Sequence, residues 1–124
     1  QDDMPVAAAR RLLGREKVIG LSTHSIEQLE AALREEIEYA AIGPIFATST
    51  KTDHEPVIGL KMLQDAAQTS GNVPLVAIGG ISSENLPALF ETGASSAAMI
   101  GAILGNHNQI EEKYRELTTI ASTC

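Results

Sequence analysis

Gly79-Gly80-Ile81-Ser82-Ser83 follows directly on an apolar run at positions 74–79. Two glycines let the backbone turn closely and direct N–H groups at an anion. Ser83, read as an N-cap, would start a helix behind them whose positive end adds to the attraction. An ordinary strand-to-helix turn has the same local pattern. Met99-Ile-Gly-Ala-Ile103 repeats the arrangement after the next apolar run, with Gly101 where a short helix could begin. The loop 43–56 brings the hydroxyls of Thr48, Ser49 and Thr50 beside the cation of Lys51. Such a group could grip a diphosphate, or the loop could be a solvated connector.

Ser22-Thr23-His24 closes another apolar run. Ser22 would face the open end, while His24 could exchange protons or simply pack beside the following helix. No third residue completes a Ser-His-Asp arrangement. Asp2 and Asp3 stand just before the first helical pattern, where carboxylates cap a helix or bind Mg²⁺ through oxygen. Their spacing alone favours capping. Asp53, His54, Glu55 and the isolated His107 lack diagnostic metal spacing, so no metal ligand is assigned to them.

The elements that must position these groups are legible from periodicity. Four nearly continuous apolar runs read as buried strands: 17–22, 39–43, 74–79 and 96–100. Helical patterns separate and flank them. Met4 to Leu13 closes at Gly14; Ser25 and Gln28 form a capping box ahead of Ile26, Leu29, Ala32 and Leu33. Leu60, Leu63, Ala66 and Ala67 form a stripe ending at Ser70-Gly71, and Leu86, Leu89 and Phe90 form a short one ending at Gly93. A last helix is predicted over 109–121. Sequential βα units imply a parallel sheet with right-handed crossovers, and ligands then bind beyond the carboxyl ends of the strands. An open doubly wound sheet and a section of a (β/α)₈ barrel both fit that order. Gly20, Gly43, Ala40, Ala41, Ala77, Ala97 and Ala98 give a narrow sheet face suited to a barrel interior. A full barrel takes roughly 200 residues or more, against 124 here. Four strands would leave two parallel edges open.

Composition narrows the chemistry. Nine basic and sixteen acidic residues give a formal charge of −7, and there is no basic run. Nucleic-acid and anionic-membrane binding are therefore disfavoured, and any anion site must be local. The single Cys allows no intrachain disulfide. No membrane span or signal pattern is present, and a soluble cytoplasmic protein is the expectation.

Taken together, Ile19-Gly-Leu-Ser-Thr-His24, Gly43-Pro-Ile-Phe-Ala-Thr-Ser-Thr-Lys51, Val76-Ala-Ile-Gly-Gly-Ile81 and Met99-Ile-Gly-Ala-Ile103 resemble the thiamine-phosphate synthase (thiamine-phosphate pyrophosphorylase) family across essentially the whole chain. The resemblance implies the C-terminal half of a (β/α)₈ barrel, with residues 1–124 supplying strands five to eight. It implies a transferase that joins hydroxymethylpyrimidine diphosphate to thiazole phosphate, releasing diphosphate and giving thiamine phosphate. The family's reaction is dissociative, so it needs Mg²⁺ and cationic donors at the leaving group and no protein nucleophile.

Carried over by position, the resemblance makes Asp3 a Mg²⁺ ligand, against the local preference for a cap. Ser22 and Lys51 become the catalytic, diphosphate-contacting pair. Thr48 and Thr50 fall on the thiazole-phosphate side, with Gly80, Ile100 and Gly101 as the phosphate cradle. Relatives often carry Ser at the Gly101 position; glycine keeps the N–H and loses a hydroxyl. The pyrimidine-recognition residues and a second Mg²⁺-binding Asp would lie upstream of Gln1. The chain alone is therefore expected to be inactive and to need the N-terminal half or a partner chain. Two alternatives are a thiazole tautomerase and a non-catalytic phosphate-binding or assembly fragment.

Overall fold

The structure is a computed structural model that describes residues 4–48 and 56–124. Four strands, β1 (Gly20–Thr23), β2 (Tyr39–Ile42), β3 (Leu75–Ile78) and β4 (Ser96–Ala98), form one parallel sheet in sequential order. Helices α1 (Val6–Leu13), α2 (Ile26–Ala32), α3 (Gly59–Ser70) and α4 (Leu86–Phe90) alternate with them. After β4 come α5 (Gly101–Leu104), a 3₁₀ turn at His107–Gln109, and α6 (Ile110–Thr123).

The predicted order of elements is present, with shorter strands. β1 begins at Gly20 rather than Lys17, and β4 ends at Ala98 rather than Ile100. Pro5 stands immediately before the first turn of α1, where a missing N–H costs nothing, and Gly14 ends that helix with φ +78°. The Ser25 hydroxyl accepts from the Gln28 N–H at 3.2 Å, as the capping box requires. The return bond is displaced by one residue: Gln28 Oε1 accepts from the His24 N–H at 2.7 Å.

Side chains alternate across the sheet. Ala40, Ile42, Leu75 and Ala77 enter the core with Leu29, Leu63, Ala66, Leu86, Leu89 and Leu117 from the helices. Each fully buried leucine, such as Leu29 and Leu63, contributes about 1.5–3 kcal/mol. The opposite face carries Ser22, Ala41, Val76 and Ser96 in one register row, flanked by Tyr39 and Ile78. Tyr39 and Ile78 are 36% and 37% exposed, so helices cover only one face of this sheet. The small residues expected to line a single narrow face are divided between the two. Ala40, Ala77 and Ala97 pack towards the helices, while Ala41 and Ala98 occupy the uncovered side.

At the amino ends of the strands, Arg10 ties α1 to β1 and β2. Its guanidinium donates to the carbonyls of Gly14, Lys17 and Glu36 at 3.2, 2.6 and 2.8 Å. It also meets both carboxylate oxygens of Glu38, at 2.7 and 2.8 Å. Glu38 in turn accepts from the Ile19 N–H at 2.6 Å. That backbone bond first, and Arg10 second, hold the Glu38 carboxyl below its ordinary value.

Candidate functional site

The carboxyl ends of the four strands are laced together by hydrogen bonds. At the end of β1, His24 Nδ1 lies 2.6 Å from the Gly43 carbonyl. A carbonyl only accepts, so Nδ1 is the donor in this contact. Beyond β2, the chain remains paired with the end of β3. The Ile45 N–H donates to the Ile78 carbonyl at 2.9 Å, and the Phe46 N–H to the Gly79 carbonyl at 3.1 Å. This extension carries Thr48 out of the β2 end, where it is half-buried.

The Gly79-Gly80 turn packs directly on that extension. Gly79 and Gly80 have φ values of +99° and +64°. A Cβ on Gly80 would meet the Ala47 carbonyl and the Phe46 side chain, and one on Gly79 would meet Pro44. Both glycines are therefore required by conformation and by close approach. Their carbonyls are engaged as well: Gly79 by Phe46, and Gly80 by the Asn85 amide at 3.1 Å.

These bonds direct the turn's donors. Apart from the cis Gly43–Pro44 bond, the peptides among the described residues are trans. In a trans peptide the N–H opposes the C=O. With the Gly79 and Gly80 carbonyls held by Phe46 and Asn85, the N–H groups of Gly80 and Ile81 point away from those partners. Successive N–H groups in such a turn are donors suited to an anionic oxygen.

The structure corrects the predicted role of Ser83. Asn85, not Ser83, is the N-cap of α4, and it makes no side-chain bond into that helix. The Ser83 hydroxyl instead faces Glu116 on α6; Lys113, then Ser83, hold that carboxyl below its ordinary value. With five residues, α4 supplies little dipole to the turn.

The remaining expected residues separate as follows. Ser22 is exposed on the uncovered face of β1, in register with Ala41, Val76 and Ser96. It lies two strands from β3, about 10 Å across the sheet. Ile100 is the N-cap of α5 and Gly101 its first residue, both exposed beyond β4. Thus Thr48, Gly80, Ile100 and Gly101 follow three neighbouring strands at one end of the sheet. Asp3, Thr50 and Lys51 lie outside the described residues, as do Asp53, His54 and Glu55. His107 is exposed in the 3₁₀ turn, away from the strands. Mg²⁺ takes about six oxygen ligands in octahedral array. Among the described residues no three His, Cys, Asp or Glu side chains gather to hold a metal. Nor is any described helix long and apolar enough to cross a membrane.

Parallel βα units in sequential order, open on one sheet face, with glycine turns and hydroxyls at the carboxyl ends, define an α/β protein built as part of a (β/α)₈ barrel. The chain belongs to the thiamine monophosphate synthase family, whose profile matches residues 1–103. It is 44% identical over 120 residues to a thiamine-phosphate synthase of Syntrophomonas wolfei, covering 97% of this chain and 56% of that one. A thiamine-phosphate synthase of Koribacter versatilis is 41% identical over 117 residues, covering 94% and 55%. The thiamine phosphate pyrophosphorylase of Pyrococcus furiosus superposes with a TM-score of 0.84 at 30% identity, covering 98% of this chain and 56% of that structure. The chain thus spans about half the length of these relatives.

Proposed function

We propose that residues 1–124 form the C-terminal half of a (β/α)₈ thiamine-phosphate synthase, strands five to eight, and carry its thiazole-phosphate site. The whole enzyme joins hydroxymethylpyrimidine diphosphate to thiazole phosphate. The C–O bond to diphosphate breaks with its electron pair leaving on diphosphate. The thiazole nitrogen then bonds to the resulting pyrimidine-methyl cation, giving thiamine phosphate.

The observation that carries this reading is the turn at Gly79-Gly80, whose carbonyls are both occupied and whose next N–H groups are turned away from those partners. Gly80 with Ile100 and Gly101 would receive the phosphate of the thiazole through backbone donors. Thr48 and Thr50 would add hydroxyls on the same side. Ser22 and Lys51 would contact the diphosphate, Lys51 neutralising charge as the C–O bond breaks. Asp3 is proposed as a Mg²⁺ ligand. One carboxylate does not complete that ion's shell.

The synthase reading has more support than a thiazole tautomerase, because proton transfer releases no diphosphate for Lys51 to neutralise. The relatives' names agree with it. The test is product analysis with the two substrates. The whole protein is expected to give thiamine phosphate and diphosphate in equal amounts, and the 124-residue chain alone to give neither. Isomerisation of thiazole carboxylate phosphate without any pyrimidine substrate would establish the tautomerase. Turnover by the chain alone would overturn the half-site reading.

A further inference from the structure

Resting on the phosphate assignment just made, we propose that Asn85 is a positioning residue for phosphate recognition: its amide clamps the Gly79–Ile81 turn with the N–H groups of Gly80 and Ile81 held in their anion-binding direction. Both ends of the amide are used within this one turn. Nδ2 donates to the Gly80 carbonyl at 3.1 Å, and Oδ1 accepts from the Ser82 N–H at 2.9 Å. Only this orientation satisfies both partners. A flipped amide would set its oxygen against a carbonyl and its NH₂ against an N–H.

The clamp acts on the peptide that matters. Rotation of the Gly80–Ile81 peptide swings the Ile81 N–H, and a glycine flank resists that rotation less than any other residue. The bond from Asn85 to the Gly80 carbonyl fixes this plane from behind. The preceding plane is fixed by Phe46, whose N–H holds the Gly79 carbonyl. Adjacent peptides are thus secured by different elements, one by the β2 extension and one by Asn85. Asn85 is half-buried, and Leu86 next to it is fully buried in the core, so the clamp stands on a rigid base. Preorganised donors bind an anion without the cost of reorienting at the moment of binding.

The experiment compares thiazole phosphate with its dephosphorylated alcohol, in the whole protein that carries this chain. Asn85→Ala is expected to weaken thiazole phosphate about tenfold, the scale of one charge-assisted hydrogen bond. Binding of the alcohol should be unchanged. In turnover the loss should fall on KM for thiazole phosphate, with kcat within about twofold of the unaltered protein. Equal weakening of phosphate and alcohol, or none of either, would overturn the proposal.

A second measurement needs no variant. In the unaltered protein, the amide resonances of Gly80 and Ile81 should shift with thiazole phosphate and stay in place with the alcohol. Shifts elsewhere with these two unmoved would also overturn the proposal. If the unaltered protein binds phosphate and alcohol alike, the phosphate assignment beneath it fails first. That outcome is separable because it is seen without any change at Asn85.

Discussion

The Nδ1 atom of His24 lies 2.6 Å from the carbonyl oxygen of Gly43, so a side chain at the end of β1 holds the backbone at the end of β2. The His24 backbone is itself fixed, because its N–H donates to Gln28 Oε1 at 2.7 Å. Gly43 begins the segment whose Ile45 and Phe46 N–H groups bond to the end of β3. A rotation at His24 would therefore reach the Gly79-Gly80 turn through hydrogen-bonded backbone. This makes His24 a support of the rim, in addition to any part in proton transfer.

Replacing His24 by Ala should release the Gly43 carbonyl and loosen the extension that follows. The expected loss of stability is about 1 kcal/mol, that of one net hydrogen bond. Hydrogen exchange at the Ile45 and Phe46 amides should accelerate more than at Ala77, fully buried within β3. Uniform acceleration across all three would show that His24 acts on global stability instead.

Gly80→Ala tests the packing of the turn. An added Cβ meets the Ala47 carbonyl while the backbone sits at φ +64°. The cost should be about 1–3 kcal/mol, with loss of phosphate binding. Gly14→Ala is the internal control. Its φ is +78°, yet nothing lies within 4 Å of the added atom. Only a conformational cost should appear there, about 1–3 kcal/mol for an extended backbone at positive φ, without effect on phosphate. Equal loss of phosphate binding at the two sites would remove the case for close approach at Gly80.

Glu38 gives stability a pH dependence with a definite sign. Its folded carboxyl is held below the ordinary value by the Ile19 N–H and Arg10. A depressed carboxylate stabilises the fold fully above the unfolded pKa, about 4.3. That contribution is lost as pH falls through the lower folded value. Thermal melts from pH 7 to pH 3 should show an acid loss that is smaller in Glu38→Gln. Arg10→Met should be more damaging, at about 2–3 kcal/mol, because the carbonyls of Gly14, Lys17 and Glu36 lose their shared side-chain donor. An unchanged acid limb in Glu38→Gln would contradict the assignment.

Lys51→Ala addresses the leaving group. If Lys51 neutralises the departing diphosphate, kcat should fall about 100-fold or more, with KM for thiazole phosphate little changed. A change in KM for thiazole phosphate alone would place Lys51 at the other substrate.

The order of strands and helices was legible in the sequence because apolar runs and helical stripes alternate without interruption. Ser25 and Gln28 also showed their helix start, since a capping box is local. The Arg10–Glu38 clasp was not legible: its partners are 28 residues apart and meet only after the sheet forms. The continuation of β2 through Ile45 and Phe46 was hidden by Gly43 and Pro44, which read as the start of a loop. At the site, the two glycines marked the turn, but Ser83 was read at the N-cap position that Asn85 occupies. The signal for Asn85 was present as an Asn three residues beyond Ser82, a spacing that lets an amide close a turn on itself.

The position of bound phosphate tests the central claim most directly. In a crystal structure of the whole protein with thiazole phosphate, the phosphate oxygens should lie about 2.7–3.2 Å from the Gly80 and Gly101 amide nitrogens. Thiazole phosphate bound elsewhere, with both amides uncontacted, would contradict the assignment of this rim as the phosphate site.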